Sequence, residues 1–301
     1  MTLEAVFDEV PQLAGRVREV AELPGGLTNE NCKVDTDEGS YVVRRWSDDT
    51  GLLAIDRDHE YENSLRAAKA GIGAPVVAYL PEHNAMVFEF LDGPTMSAED
   101  LRRGPGRIAL AADACRRLHG ADRFVCDFDM FDIQPRYLEI VTERGFRLPE
   151  RYLEFAPQVE AIREAFSERD EATVPCNNDL LAENFILVGE RFFCIDYEYS
   201  GNNDACFELG NLWSESNLSL DQLDELVSAY YGRHLRHKVA RARLWGLMSK
   251  YGWTLWASIQ DGVSTIDFDF WAWGMEKYER AVAEFDAPDF ERLLAEARRP
   301  D

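Results

Sequence analysis

Short apolar runs divided by turn residues dominate the first third of the chain. Leu3 to Val10 reads as a short helix. The following segment, RVREVAELPGGLTNENCKVDTDEGSYVVRRW, reads as strand, Gly-rich turn, strand, DEGS turn and strand, an antiparallel meander. IDRDHEYENSLRAAKAGIG has the composition of a helix closed by Gly71 and Gly73, and PVVAYLPEHNAMVFEF supplies two further strands joined around Glu82 to Asn84. Residues 1–90 thus predict a small sheet carrying one helix. LDGPTMS, residues 91–97, is a short punctuated connector. Beyond it come helical segments, IALAADACRRLHG, RYLEIVTERG, VEAIREAFSE and a long tail from Leu220, so residues 98–301 predict a mainly helical unit. Only Val174 to Gly201 interrupts it with strands. The pattern is that of an α+β, two-lobed chain, and ligand sites favour the cleft between such lobes.

With 301 residues, 46% of them hydrophobic, the chain has ample material for a large core. Thirty-two Lys and Arg against 56 Asp and Glu leave a net charge of -24, which would repel a phosphate backbone and sets nucleic acid aside as a partner. An acidic envelope attracts cationic small molecules, although its commoner role is solubility. The six cysteines (Cys32, Cys115, Cys126, Cys176, Cys194 and Cys206) show no paired spacing and mostly sit beside apolar residues, as reduced thiols of a cytoplasmic protein do. MTLEAVFDEVPQL at the N-terminus lacks the apolar run of a signal peptide, and no window approaches roughly eighteen apolar residues, so no membrane insertion is expected. The sequence leaves a homodimer open.

The stretch that breaks the helical pattern carries the candidate chemistry. In VPCNNDLLAENFILVGERFFCIDYEYSG, Phe185 to Val188 and Arg191 to Ile195 flank Gly189-Glu190, a two-residue hairpin signal. Folding about that turn pairs Asn184 with Ile195 and brings Asp196 alongside, with Asp179 in the loop leading in. Taken singly, these residues suit caps and strand ends. Taken together, a carboxylate and an amide oxygen form a hard ligand set for Mg²⁺, which keeps waters and takes substrate phosphates for its remaining positions. Asp196 also ends an apolar run, where a charge is costly unless paired or metal-bound. The spacing D-x4-N with a later Asp matches the catalytic loop of protein-kinase-like phosphotransferases.

CNNDLLAENFIL followed by IDYEYSGNNDACFELGNLWSE resembles the choline and ethanolamine kinase family, which shares the protein-kinase-like fold with the aminoglycoside phosphotransferases. The resemblance implies transfer of the γ-phosphate of ATP, with Mg²⁺, to an amino-alcohol hydroxyl. It assigns Asp179 as catalytic base and Asn184 and Asp196 as Mg²⁺ ligands. PGGLTNENCKV resembles the family's phosphate-covering loop and implies Gly25, Gly26, Thr28 and Asn29 over the nucleotide, although a Gly-Gly turn alone also suits a plain hairpin. YVVRRW resembles the strand that presents a basic residue to the phosphates. The match falls on Arg44, with Arg45 on the opposite face. RDHEYEN places Glu60 as the helix partner of Arg44, and VFEFLDG resembles the hinge, with Glu89 and Phe90 near the adenine. Two features depart from pattern. Asn177 stands where the family has a histidine two residues before the catalytic Asp. Position 44 is arginine, not the lysine of protein kinases; arginine keeps a permanent charge and a fork suited to phosphate.

GWTLWASIQ resembles the family segment whose two tryptophans, here Trp253 and Trp256, wall the choline site. Tyr199 and Glu215 fall where the family places an aromatic and a carboxylate facing the ammonium, and Trp273 matches another pocket aromatic. Without that context, paired tryptophans in a helical lobe read as core. A quaternary ammonium has no N–H and is drawn to aromatic faces by roughly 0.5 to 2 kcal/mol per contact. Ethanolamine would need acceptors for three protons. The expectation is therefore a small-molecule kinase acting on choline, although after Glu215 the chain reads SNLSL, without obvious counterparts of further family tyrosines. The alternatives are an ethanolamine or aminoglycoside-type kinase of the same fold, and a catalytically silent kinase-like binding module, which Asn177 admits.

Overall fold

The computed structural model describes residues 2–16, 18–23, 26, 28–47 and 50–300, so the expectation for Gly25 lies outside the described residues. Helix α1 (Leu3–Glu9) leads into β1 (Glu19–Glu22), β2 (Asn29–Asp35) and β3 (Ser40–Trp46). Helix α2 (Arg57–Lys69) then precedes β4 (Val76–Leu80) and β5 (Ala85–Glu89). The strands pair antiparallel in the order β1-β2-β3-β5-β4. Alternation sorts the side chains. Cys32, Val34, Tyr41 and Val43 pack against Val6, Phe7, Val10 and Leu13 on one face, which turns Arg44 to the other, towards α2. The side chain of Asp56 caps α2 by accepting from the N–H groups of Asp58 and His59, and Gly71, at φ +71°, follows its end.

The remaining chain is mainly helical. It comprises α3 (Ala98–Arg103), α4 (Arg107–His119), α5 (Met130–Arg144), α6 (Ala156–Ser167), β6 (Val174–Cys176), β7 (Phe185–Val188), β8 (Arg191–Cys194), β9 (Gly201–Asn203), α7 (Ala205–Glu215), α8 (Leu220–Tyr231), α9 (Arg236–Val263), α10 (Phe270–Phe285) and α11 (Phe290–Ala297). The β7–β8 hairpin turns at Gly189-Glu190, with Val188 opposite Arg191. Two features differ from the sequence reading. Helix α5 begins at Met130 and carries Pro135 inside it, because Asp129 caps it and Met130 and Phe131 are buried in the core. Strand β6 pairs with β9, three residues each, too short to leave a pattern. All six cysteines are free, five of them buried. Among the described residues no helix is long and apolar enough to cross a membrane.

Helix α9 is the axis of this unit and packs against α5, α7, α10 and α11. Its approach to α7 requires glycine. A Cβ at Gly210 would lie 2.0 Å from the Ala242 carbonyl oxygen, and one at Gly246 would lie 2.6 Å from the Gly210 carbonyl oxygen. Gly210→Ala is therefore expected to destabilise the fold by about 3 kcal/mol, a fall in Tm of about 5 °C that a thermal melt would detect. An unchanged melting temperature would contradict the close packing of α7 on α9.

Candidate active site

Helix α7 fixes the loop that carries Asp179. Glu208, fully buried, accepts the backbone N–H of Asn177 at 2.8 Å and of Asn178 at 2.9 Å, one on each carboxylate oxygen. Asn211 accepts the N–H of Leu180 at 2.7 Å and donates to Ser249 Oγ of α9 at 2.8 Å. A tight buried loop must find acceptors for its N–H groups outside itself, and these two side chains supply them. The sequence reading missed both. The signal available was a charge and an amide three positions apart in the otherwise apolar FELGNLW. Asn177 belongs to the same framework: its Oδ1 accepts the Asp179 N–H at 3.1 Å, and its Nδ2 donates to the Asp196 carbonyl at 2.6 Å.

Asn184 and Asp196 meet at the open end of the hairpin, where the Ile195 N–H donates to the Asn184 carbonyl at 2.9 Å. Asn184 Nδ2 donates to the Asp179 carbonyl at 2.8 Å, which leaves Oδ1 for another partner. Asp196 sits at φ +65° and Asn178 at φ +67°, left-handed conformations that non-glycine residues adopt at a cost of about 1 kcal/mol or more and that cluster at functional sites. Asp196 Oδ2 pairs with Arg44 at 2.5 Å, while Oδ1 is buried without a hydrogen-bond partner. An orphaned carboxylate oxygen beside an amide oxygen is a donor set that fits a hard divalent cation such as Mg²⁺. Burial pushes the Asp179 carboxyl well above the usual range, reinforced by Glu215, Asp196 and Glu198 and opposed by Lys277.

Behind the hairpin, charges alternate. Arg44 bonds Glu60 at 2.6 Å, and Glu60 also holds Arg57 at 2.6 Å. Arg57 reaches Glu198 at 3.2 Å and Asn29 Oδ1 at 3.0 Å. Thr28 Oγ1 and Asn29 Nδ2 both donate to Glu198, at 2.9 and 3.0 Å. Burial alone would lower the Arg44 pKa, but Asp196, Glu60 and Glu198 outweigh it and hold the guanidinium charged. Glu198, two residues after Asp196, had not been singled out. Glu89 and Phe90 stand apart from this cluster. Their N–H groups donate to the carbonyls of Pro75 and Ser40, so neither is left to donate to an adenine.

A cavity of about 550 Å³ joins the two halves of the site. Gly26, Thr28, Asp179, Asn184 and Asp196 line it together with Tyr199, Glu215, Trp253, Trp256 and Trp273. Trp256 Nε1 donates to the Tyr199 hydroxyl at 2.8 Å, Trp253 stands edge-on to Tyr199 at 5.0 Å, and Trp273 edge-on to Trp256 at 5.5 Å. Glu215 already has a cation beside it. Its Oε2 is bonded to Lys277, whose ammonium also lies 4.0 Å from the centre of the Trp273 ring, while its Oε1 is buried without a partner. A second cavity of about 360 Å³, along α8, α9 and α11, is lined by polar groups that already have partners, such as His234 with Asp224 and Arg243 with Glu284.

Comparison with known proteins gives the family and the fold. The model of the phosphotransferase enzyme family matches residues 19–245. The chain belongs to this family. Over 250 residues it is 24% identical to the protein LicA of Haemophilus influenzae, covering 79% of this chain and 72% of LicA. Over 287 residues it is 26% identical to ethanolamine kinase 2 of Rattus norvegicus, covering 85% and 73%. A solved structure of a choline/ethanolamine kinase family protein from Mesorhizobium loti superimposes with a TM-score of 0.86 at 32% identity, covering 98% of this chain and 97% of that one. The phosphotransferase thus has the two-lobed, kinase-like fold of the choline and ethanolamine kinases.

The raised pKa of Asp179 has a measurable consequence. The folded protein keeps the proton at pH values where the unfolded carboxyl, near 3.9, has lost it, so the residue costs stability increasingly as pH rises from about 4. In metal-free buffer Asp179→Asn is expected to raise Tm by about 2 °C or more at about pH 8, with the gain fading towards pH 4. A variant no more stable than its parent at pH 8 would contradict the burial argument.

Proposed function

We propose that this phosphotransferase is an ATP- and Mg²⁺-dependent kinase that phosphorylates the hydroxyl of a small amino alcohol, with choline as the acceptor. The observation that carries the reading is the shared cavity, in which Asp179, Asn184 and Asp196 open onto the same space as Tyr199, Trp253 and Trp256. Asn184 Oδ1 and the free Asp196 Oδ1 would hold Mg²⁺, which when bound neutralises charge on the nucleotide phosphates. Arg44, released from Asp196, would turn its fork to the phosphates. Asp179 would orient the alcohol and accept its proton as the phosphoryl group transfers in line. Because such transfer depends on positioning and electrostatics, the rigid loop under Asp179 is as much part of the machinery as the carboxylate. Free thiols at all six cysteines support a cytoplasmic setting.

A second reading, ethanolamine, has its own support. The buried Glu215 Oε1 lacks a donor, and a primary ammonium can supply one where a quaternary ammonium cannot. ADP release from Mg-ATP with choline, dimethylethanolamine, ethanolamine and an aminoglycoside separates these readings. The expected result is fastest turnover with choline, weakened by Trp256→Ala; a preference for ethanolamine indifferent to that substitution favours the second. Asp179→Asn should lower kcat by about 10²- to 10⁴-fold while nucleotide affinity changes little. Near-parental turnover in that variant would sink the assignment, and alcohol-dependent ADP release would dismiss a silent binding module.

A further inference from the structure

Lys277 makes the contacts that would recognise a ligand's ammonium. Its Nζ is bonded to Glu215 Oε2 and stands over the face of Trp273. The two charged side chains are only 6% and 4% exposed, so the pair is formed out of water. Trp273 and Lys277 are four positions apart on α10, one turn along the same face. A carboxylate and an aromatic face are the means by which proteins hold alkylammonium groups.

We infer that Lys277 is a specificity-determining residue, a resident cation that occupies the ammonium subsite of the pocket and competes there with a cationic acceptor. This rests on the amino-alcohol reading above. The lysine cancels the charge of Glu215 and covers Trp273, leaving Tyr199, Trp253, Trp256 and the free Glu215 Oε1 to an incoming ligand. Removing its charge would leave Glu215 buried without a bonded cation, the neighbouring Lys250 being committed to Glu284, a defect that a cationic ligand repairs and a neutral one does not. The opposing role, in which Lys277 merely aims Glu215 at the ligand, predicts the reverse sign.

Calorimetric titration distinguishes them, using choline and its neutral isostere 3,3-dimethyl-1-butanol against the parent, Lys277→Met, Lys277→Gln and Lys277→Arg. Choline is expected to bind about tenfold tighter to the Met and Gln variants, the isostere to change less than about twofold, and the Arg variant to stay near the parent. Adding Glu215→Gln to Lys277→Met should erase the gain. Lys277→Gln keeps a donor for Glu215 and serves where the Met variant does not fold. Equal gains for both ligands, unchanged choline affinity, weaker choline binding, or no binding to any form would overturn the inference. Because binding is measured without turnover, these outcomes stand apart from ADP release, which tests the kinase reading.

Discussion

One buried guanidinium holds three parts of the molecule in register. Arg44 projects from β3, bonds Glu60 on α2, and bonds Asp196 at the end of the β7–β8 hairpin. Three charges cannot leave water unless each finds an opposite partner at close range, and removing one partner from such a group typically costs about 3 to 5 kcal/mol. The sheet, its helix and the hairpin can therefore settle in only one mutual arrangement. Arg57 extends the constraint by joining Glu60 to Glu198, with Asn29 and Thr28 closing the chain from the sheet side.

Features governed by local geometry were legible in the sequence. The hairpin turn at Gly189-Glu190 follows from two short apolar runs, and once it exists Asn184 and Asp196 must be neighbours. The alternation of SYVVRRW put Arg44 and Arg45 on opposite faces, and the paired tryptophans marked a helix that does line the cavity. What escaped depends on distant partners. Helix α7 is buried along nine of its eleven residues, so no amphipathic stripe announces it, and Glu208 and Asn211 acquire meaning only beneath a loop thirty residues earlier. Lys277 lies 62 residues from Glu215, and nothing local in MEKYERA indicates that its ammonium turns inward.

Helix α7 also relates the two halves of the site. Glu208 supports the Asp179 loop, and Glu215, seven residues later, reaches the aromatic pocket. Seven residues of α-helix rise about 10 Å, so the spacing between the support of the loop and the carboxylate of the pocket is set by backbone geometry, not by flexible side chains.

The Gly210–Gly246 contact has a mechanical consequence. With the Gly210 carbonyl so close to Gly246, α7 and α9 cannot slide past one another without collision. Because α7 carries Glu208 and Glu215 while α9 carries Ser249, Trp253 and Trp256, the support of the loop and the walls of the pocket move as one body. Widening the cavity from the sheet side would have to break the Arg44–Asp196 and Thr28–Glu198 contacts, while α7 and α9 keep their spacing.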